Sequence, residues 1–442
     1  MLRANRATSW LASGLSLAGT DLRKTFLLQY HPVHSCDPSL EKVTCTAVIS
    51  AVVSPTFMKK FNALLLTFAM AAGSAATAQE PTPLFGAGDN DFEMYRFPGI
   101  VMTSTGNLIA FAEGRKDAAM RWSETRPFIR VSSDKGATWS EAKQFADKPA
   151  DAAQNKILLD SGAAEAGRIG VHNLTAIADK DGAVHWVYAV EYNRIFYVKT
   201  DDKGEGASDP VEITATLDKF KEEVDWKLAG VGTGHGIQIK DSGRLVFTVW
   251  ISDGTQGIGL QNAAVATIYS DDAGKTWNRG EIIAKQFGLE KTKTGTELEM
   301  PGETAITQAA DGTVIVNIRN KALKGQRAQA TSKDGATGWS EAAFVDGLME
   351  PICQGSITTA GNAVVFANPA NMIMRKSLTA FVSTDGGKKY PKKHVIDSGV
   401  SGYSDLASDG TTVYAIYEKG AQSSANDPEA VVFTKFAVGD AK

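Results

Sequence analysis

Short runs rich in Val, Ile, Phe and Tyr recur along the chain at 107–112, 183–192, 244–251, 312–318, 363–367, 412–417 and 430–436. Each has the length of a strand, and residues of these types suit a pleated, largely buried surface. Several follow a turn pair such as Asp181-Gly182, Ser242-Gly243, Asp311-Gly312 or Asp409-Gly410, the signal of a hairpin. Extended helical periodicity is almost absent, so the pattern predicts an all-β fold.

Laid over the strand pattern is a repeat. Ser132-Ser133-Asp134-Lys135-Gly136-Ala137-Thr138-Trp139 and Ser270-Asp271-Asp272-Ala273-Gly274-Lys275-Thr276-Trp277 share the form S-x-D-x-G-x-T-W. Weaker copies begin at Thr200 (with Asp202 and Gly204), Ser332 (Asp334, Trp339) and Ser383 (Asp385, Gly387, Tyr390). The chemistry is that of a turn: the carboxylate accepts from turn amides, Gly supplies positive φ, and the aromatic packs between neighbouring sheets. One carboxylate per turn is too few for a calcium cage. A period of about 60 residues is one four-stranded sheet per unit, and the 364 residues from 79 to 442 hold six. The expectation is a single domain, a six-bladed β-propeller closed by pairing strands from its two ends.

Before residue 79 the character changes. Met58-Lys59-Lys60-Phe61, the apolar run from Ala63 to Ala72 and Ala76-Thr77-Ala78 form a bacterial-type secretory signal at 58–78, too short to span a membrane. Residues 1–57 then read as an upstream extension outside the fold. The 442-residue chain has a formal charge of −4, and removal of 1–78 leaves 39 basic against 47 acidic residues. Such a balance excludes a polyanion-binding surface over the whole molecule, and with it nucleic acid as the expected partner. Of three cysteines only Cys353 remains after residue 78, so no disulfide framework is available. The histidines show no ligand spacing, and no G-x-S-x-G elbow, P-loop or dinucleotide fingerprint occurs. Neither a metal nor a cofactor is expected.

Candidate chemistry lies in an ordered set of short motifs. These are Tyr95-Arg96-Phe97-Pro98, then Gly106-Asn107-Leu108-Ile109-Ala110-Phe111-Ala112-Glu113-Gly114-Arg115, then Gly234-His235-Gly236-Ile237-Gln238 and Glu303. They continue with the strand 311–320 ending Arg319-Asn320, then Cys353-Gln354-Gly355-Ser356-Ile357, Asn368-Pro369-Ala370, Arg375 and Tyr403-Ser404-Asp405-Leu406. In this order, and together with the Asp turns, the set resembles the sialidase (neuraminidase) superfamily over about 90–438. Each fragment alone is weak; the order makes the resemblance specific.

The resemblance implies a retaining exo-α-sialidase that removes terminal α-linked sialic acid from glycoconjugates. Arg96, Arg319 and Arg375 match the family's three carboxylate-binding arginines, and a planar guanidinium suits a fixed carboxylate. Tyr403 and Glu303 match the nucleophile and its base. Sialidases are the exception among glycosidases in using Tyr, because a neutral phenol avoids the repulsion a carboxylate would meet beside the substrate's own carboxylate. The phenol's ordinary pKa near 10 calls for such a base. For the general acid the chain departs from the family's pattern: the position that aligns with the family's Asp holds Met120 or Arg121. Asp117 is the nominee from that loop and Glu124 the second choice. Arg115 supports either the clamp or the acid loop, or else pairs with Glu113 or Asp117. Trp122 stacks on a sugar or packs, and His235 borders the pocket. Two other readings stay open: a trans-sialidase, in which a sugar hydroxyl captures the intermediate, and a non-catalytic sialic-acid-binding propeller. The expected partners are sialylated glycans, the expected state is a monomer with no integral membrane segment in the mature chain, and the expected location is secreted or periplasmic.

Overall fold

The computed structural model describes residues 80–442 except 121, 256–261, 287–297, 323 and 422–423. The secretory signal and the extension before it lie outside the described residues, as does Arg121.

After β1 (Thr82–Gly86), the strands β2 (Met94–Met102), β3 (Leu108–Arg115), β4 (Thr125–Ser132) and β5 (Lys143–Gln144) form a four-stranded antiparallel sheet. The second sheet comprises β6 (Val171–Ala178), β7 (Ala183–Val190), β8 (Arg194–Asp201) and β9 (Val211–Glu212). In the third, β10 (Leu228–Val231) and β11 (Ile237–Gln238) both pair with β12 (Leu245–Ser252), which leads to β13 (Ala263–Ser270) and β14 (Asn278–Gln286). The fourth holds β15 (Thr304–Gln308), β16 (Val314–Ile318), β17 (Gln326–Ser332) and β18 (Ala343–Met349). A seven-stranded sheet completes the fold, running β19 (Ser356–Ala360), β20 (Ala363–Pro369), β21 (Lys376–Ser383), β22 (Lys392–Ser408), β23 (Thr412–Ala421), β24 (Ser424–Ala437) and back to β1.

The architecture is therefore all-β and propeller-like, with four small sheets and one wide one. The wide sheet differs from the equal units the repeat suggests, and β22 is the reason. Its first half, Lys392–Val400, pairs with β21, and from Ser401 onward the same strand pairs with β23. The segment that elsewhere leaves one sheet for the next stays extended here, so the ladder is never broken.

Every residue of β3 and of β12 is buried. Strands covered on both faces carry apolar runs without alternation, which is how sheets stacked face to face read in sequence. All five sheets contribute to a cavity of about 490 Å³ lined by β2 (Ile100–Met102), the end of β6, β11, β15, β19 and β22. The sheets thus surround a common axis.

Each Asp turn joins the third strand of a sheet to the fourth. Asp134 accepts from the Thr138 amide at 2.9 Å, and Asp272 from the Thr276 amide at the same distance. Trp139 packs on Phe433, and Trp277 on Tyr197 and Phe247. One copy is shifted: the turn amides of Lys203 and Glu205 are bound by Asp201, while Asp202 accepts from Thr105 and Asn107.

Three inner strands carry bulges. Register slips between Arg96 and Gly99 in β2, between His172 and Thr175 in β6, and between Ser401 and Ser404 in β22. Phe97 and Asn173 accordingly take φ of 53°. Gly99 is required beside the first bulge, because a Cβ there would sit 2.0 Å from the Phe111 ring. Bulges re-aim side chains next to functional sites, and here they turn Arg96 and Tyr403 inward.

Candidate active site

Five residues named from the sequence meet at one place. The Tyr403 hydroxyl donates to Glu303 Oε1 at 2.5 Å and accepts from Arg319 Nη1 at 2.7 Å. Arg319 also pairs directly with Glu303 Oε2. The guanidinium carbons of Arg96, Arg375 and Arg319 lie 5.2, 5.5 and 5.9 Å from the centre of the Tyr403 ring. Glu303 precedes β15, Arg319 follows β16, Arg375 precedes β21, and Arg96 and Tyr403 sit at bulges. The constellation is a product of strand ends and bulges from three sheets.

Burial sets the electrostatics. Tyr403 is 5% exposed, Arg96 7% and Glu303 8%. Desolvation pushes the Tyr403 phenol well above its ordinary value; Arg319 opposes the shift and Glu303 adds to it. Burial alone would also raise Glu303, but Arg319, the Tyr403 hydrogen bond and Arg375 together hold the carboxyl below its ordinary value. The resting pair is consequently a protonated phenol bonded to an ionised carboxylate, which is the arrangement a general base needs.

Glu418 on β23 was not found from the sequence. It binds Arg96 through both oxygens at 2.9 and 3.0 Å and accepts from the amides of Tyr403 at 2.9 Å and Phe97 at 3.2 Å. It is fully buried. Burial would raise its carboxyl, and Arg96 reverses the shift. A signal was present: Glu418 follows Tyr414 and Ile416 on one face of an apolar strand, where a charge needs a partner. Behind Arg319, the buried pair Arg327–Glu350 at 2.7 Å holds the strand end, with Glu350 also accepting from the Asn320 and Cys353 amides. Cys353 itself is buried, and desolvation lifts its thiol to about 11, which leaves it inert.

The remaining candidates stand around this core. The Arg115 guanidinium lies 5.3 Å from the Phe97 ring, and that ring packs edge-on against Tyr403 at 5.0 Å. Arg115 and Glu113 are both buried, yet no ion pair joins them among the described residues; Glu113 instead accepts from the Asn173 amide. Burial raises the Glu113 carboxyl to about 7 against the opposing pull of Arg115. Asp117 accepts from the Ala119 and Met120 amides at 2.7 and 3.1 Å, and among the described residues no hydrogen bond or ion pair ties it to Tyr403. Glu124, the second choice for the acid, is engaged with Arg168 at 2.9 Å. Trp122 packs on Tyr192. His235 lines the axial cavity, where its Nδ1 lies 2.8 Å from Asp405.

Residues 180–416 match the model of the BNR repeat-like domain. The chain belongs to that family and to the sialidase superfamily. It is 24% identical over 432 residues to a sialidase of Micromonospora viridifaciens, covering 87% of this chain and 60% of that protein. A sialidase of Bacteroides fragilis (strain YCH46) is 26% identical over 367 residues, covering 75% of this chain and 61% of the relative. The chain therefore spans about three fifths of the length of these curated relatives. Among solved structures, the Hadza microbial sialidase Hz136 superposes with a TM-score of 0.65 at 22% identity, covering 82% of this chain and 69% of the other. That likeness shows a shared fold.

Proposed function

We propose that this chain is a glycoside hydrolase, a retaining exo-α-sialidase acting on terminal α-linked sialic acid of glycans and glycoproteins. The observation that carries the reading is a phenol hydrogen-bonded to an ionised carboxylate with three guanidiniums gathered round its ring. Arg96, Arg319 and Arg375 hold the substrate carboxylate. Glu303 takes the Tyr403 proton as the phenol oxygen bonds to the anomeric carbon, the glycosidic bond breaks, and Asp117 protonates the departing oxygen. Water then attacks the same carbon, gives its proton to Asp117, and displaces the phenolate, which recovers its proton from Glu303. Two displacements at one carbon retain configuration. Arg115 steadies Phe97 and the acid loop.

The same reading takes 58–78 as a cleaved secretory signal, residues 1–57 as lying outside the fold, and the 79–442 domain as a monomer, secreted or periplasmic. It counts six blades by dividing the wide sheet inside β22. The second half of that sheet has β1 as its fourth strand, and this explains why it lacks an Asp turn, since its third and fourth strands come from opposite chain ends.

The test is hydrolysis of a fluorogenic sialoside with the configuration of the first-formed product followed by NMR. Release of α-sialic acid supports the mechanism, and β-product first would exclude it. Replacing Asp117 by Asn is expected to slow an alkyl sialoside at least tenfold while sparing an aryl sialoside, whose leaving group needs less protonation.

A further inference from the structure

The strand that carries Tyr403 is irregular at that residue. On β22, Ser401 is opposite Lys419 and Ser404 opposite Tyr417, so Gly402 and Tyr403 share the single residue Glu418. Two residues facing one disrupt the ladder locally. Glu418 compensates on one side by accepting from the Tyr403 amide at 2.9 Å. Gly402, the other bulged residue, has no side chain with which to hold the bulge. Ser404 gives both of its backbone groups to one side chain, Gln354. Its amide donates to Gln354 Oε1 at 3.0 Å, and Gln354 Nε2 donates to its carbonyl at 3.0 Å. A primary amide bonded in this way copies a rung of the ladder, and the fixed polarity of the peptide decides which way the amide points.

Gln354 is buried, and its own backbone is fixed on both sides. Before it, the Cys353 amide donates to Glu350 at 3.0 Å and the Cys353 carbonyl accepts from Arg327 at 2.9 Å, so the buried Arg327–Glu350 pair sets the approach. After it, Gly355 lies against Phe366, where an added Cβ would come 2.7 Å from the ring. The residue beyond Ser404 ties the same strand to a different one. Asp405 Oδ2 accepts from the Ile100 amide on β2, the strand of Arg96, at 2.9 Å, and Oδ1 lies 2.8 Å from His235 Nδ1. Tyr403, Ser404 and Asp405 are thus held one after another by buried side-chain bonds, and Gln354 supplies the middle pair.

We infer that Gln354 is a positioning residue for Tyr403: its amide sets the height of the bulge on β22, and with it the reach of the phenol to Glu303 and to the sugar carbon. The kinetic consequences of this role rest on the hydrolase reading, whereas the placement of the phenol does not.

The experiment compares the full chain with Gln354→Leu and Gln354→Glu. Gln354→Leu removes both bonds, and kcat should fall about tenfold or more while KM stays within about twofold, because the three arginines lie on other strands. Alkyl and aryl sialosides should suffer equally, since a displaced nucleophile fails both, unlike a lost acid. Gln354→Glu is an isostere of the amide only while its carboxyl is protonated. At about pH 5 it should turn over close to the parent, and as pH rises to about 9 the ionised carboxylate can no longer donate to the Ser404 carbonyl, so kcat relative to the parent should fall. The ¹³Cζ resonance of Tyr403, assigned by its loss in Tyr403→Phe, reads the same event without substrate. It should move in Gln354→Leu and, with rising pH, in Gln354→Glu. Parental kcat and an unmoved resonance in folded Gln354→Leu would overturn the proposal. Should that variant fail to fold, a Gln354→Glu resonance that follows the parent's across the whole pH range would overturn it instead. If the resonance moves as expected while the parent cleaves no sialoside, Gln354 keeps its positioning role and the hydrolase reading fails.

Discussion

The Asp turns and the Tyr403 site are both built on hydrogen-bonded carboxylates, but they are organised in opposite ways. A turn is local: Ser270 Oγ, Asp272 and the Gly274 and Thr276 amides close on one another within seven residues. The site gathers partners up to 322 residues apart in sequence, Arg96 and Glu418 being the farthest. Local bonds repeat, tolerate exposure and carry small energies one at a time. The site's charges are buried, single-copy and mutually dependent, so loss of one strands another. Stability is spread over the repeat, and chemistry is concentrated in the one place that does not repeat.

That contrast can be tested from its strong end downward. Tyr403→Phe removes the hydroxyl and leaves the ring packed on Phe97, so turnover of a fluorogenic sialoside should fall about 1,000-fold or more with an unchanged far-UV spectrum. Glu418→Ala leaves the Arg96 guanidinium buried without its bidentate partner, and urea denaturation should show a loss of about 3–5 kcal/mol. Substrate affinity should weaken with it, because Arg96 is then unheld.

Glu113 gives a pH signature. Its folded pKa, about 7, is above the ordinary carboxyl value. Protonated Glu113 therefore supports the fold at low pH, and that support is lost as pH rises from about 4.5 through 7. Glu113→Gln keeps an acceptor for the Asn173 amide and cannot ionise. The variant should gain stability relative to wild type across that window, by up to about 2–3 kcal/mol at pH 8. Thermal melts at pH 5 and pH 8 measure it, and a constant difference would show that Glu113 does not titrate there. Smallest is Ser270→Ala, which unpairs the Gly274 amide: a cost of about 1–2 kcal/mol with sialoside turnover unchanged. A large loss of turnover from that turn would erase the distinction between the two regions.

The strands were legible because their residues report burial directly. The runs at 107–112, 183–192 and 244–251 each fall on a strand buried along nearly its whole length. The turn motif was legible because its partners are neighbours in sequence. Even there register escaped detection once, since Asp201 and Asp202 are adjacent carboxylates and only backbone geometry selects the first. Glu350 and Arg327 escaped because nothing adjacent to them in sequence announces a partner tens of residues away, and for Glu418 the apolar strand signals that a partner is needed without saying that Arg96, 322 residues away, supplies it. Arg96, Glu303, Arg319, Arg375 and Tyr403 were found through resemblance and through no local rule.

By itself, the sequence settles what depends on composition and short-range spacing: an all-β chain and a recurring hairpin unit. Tertiary structure decides what depends on closure. Only the curvature of the sheets about an axis, the bulges in β2 and β22 and the unbroken ladder through β22 bring the site's groups within hydrogen-bond reach. Only this closure keeps Tyr403 protonated through burial and Glu303 ionised, against its own burial, through Arg319 and its other partners, since the energy of a charge is set by the solvent it has lost and the partners it has gained.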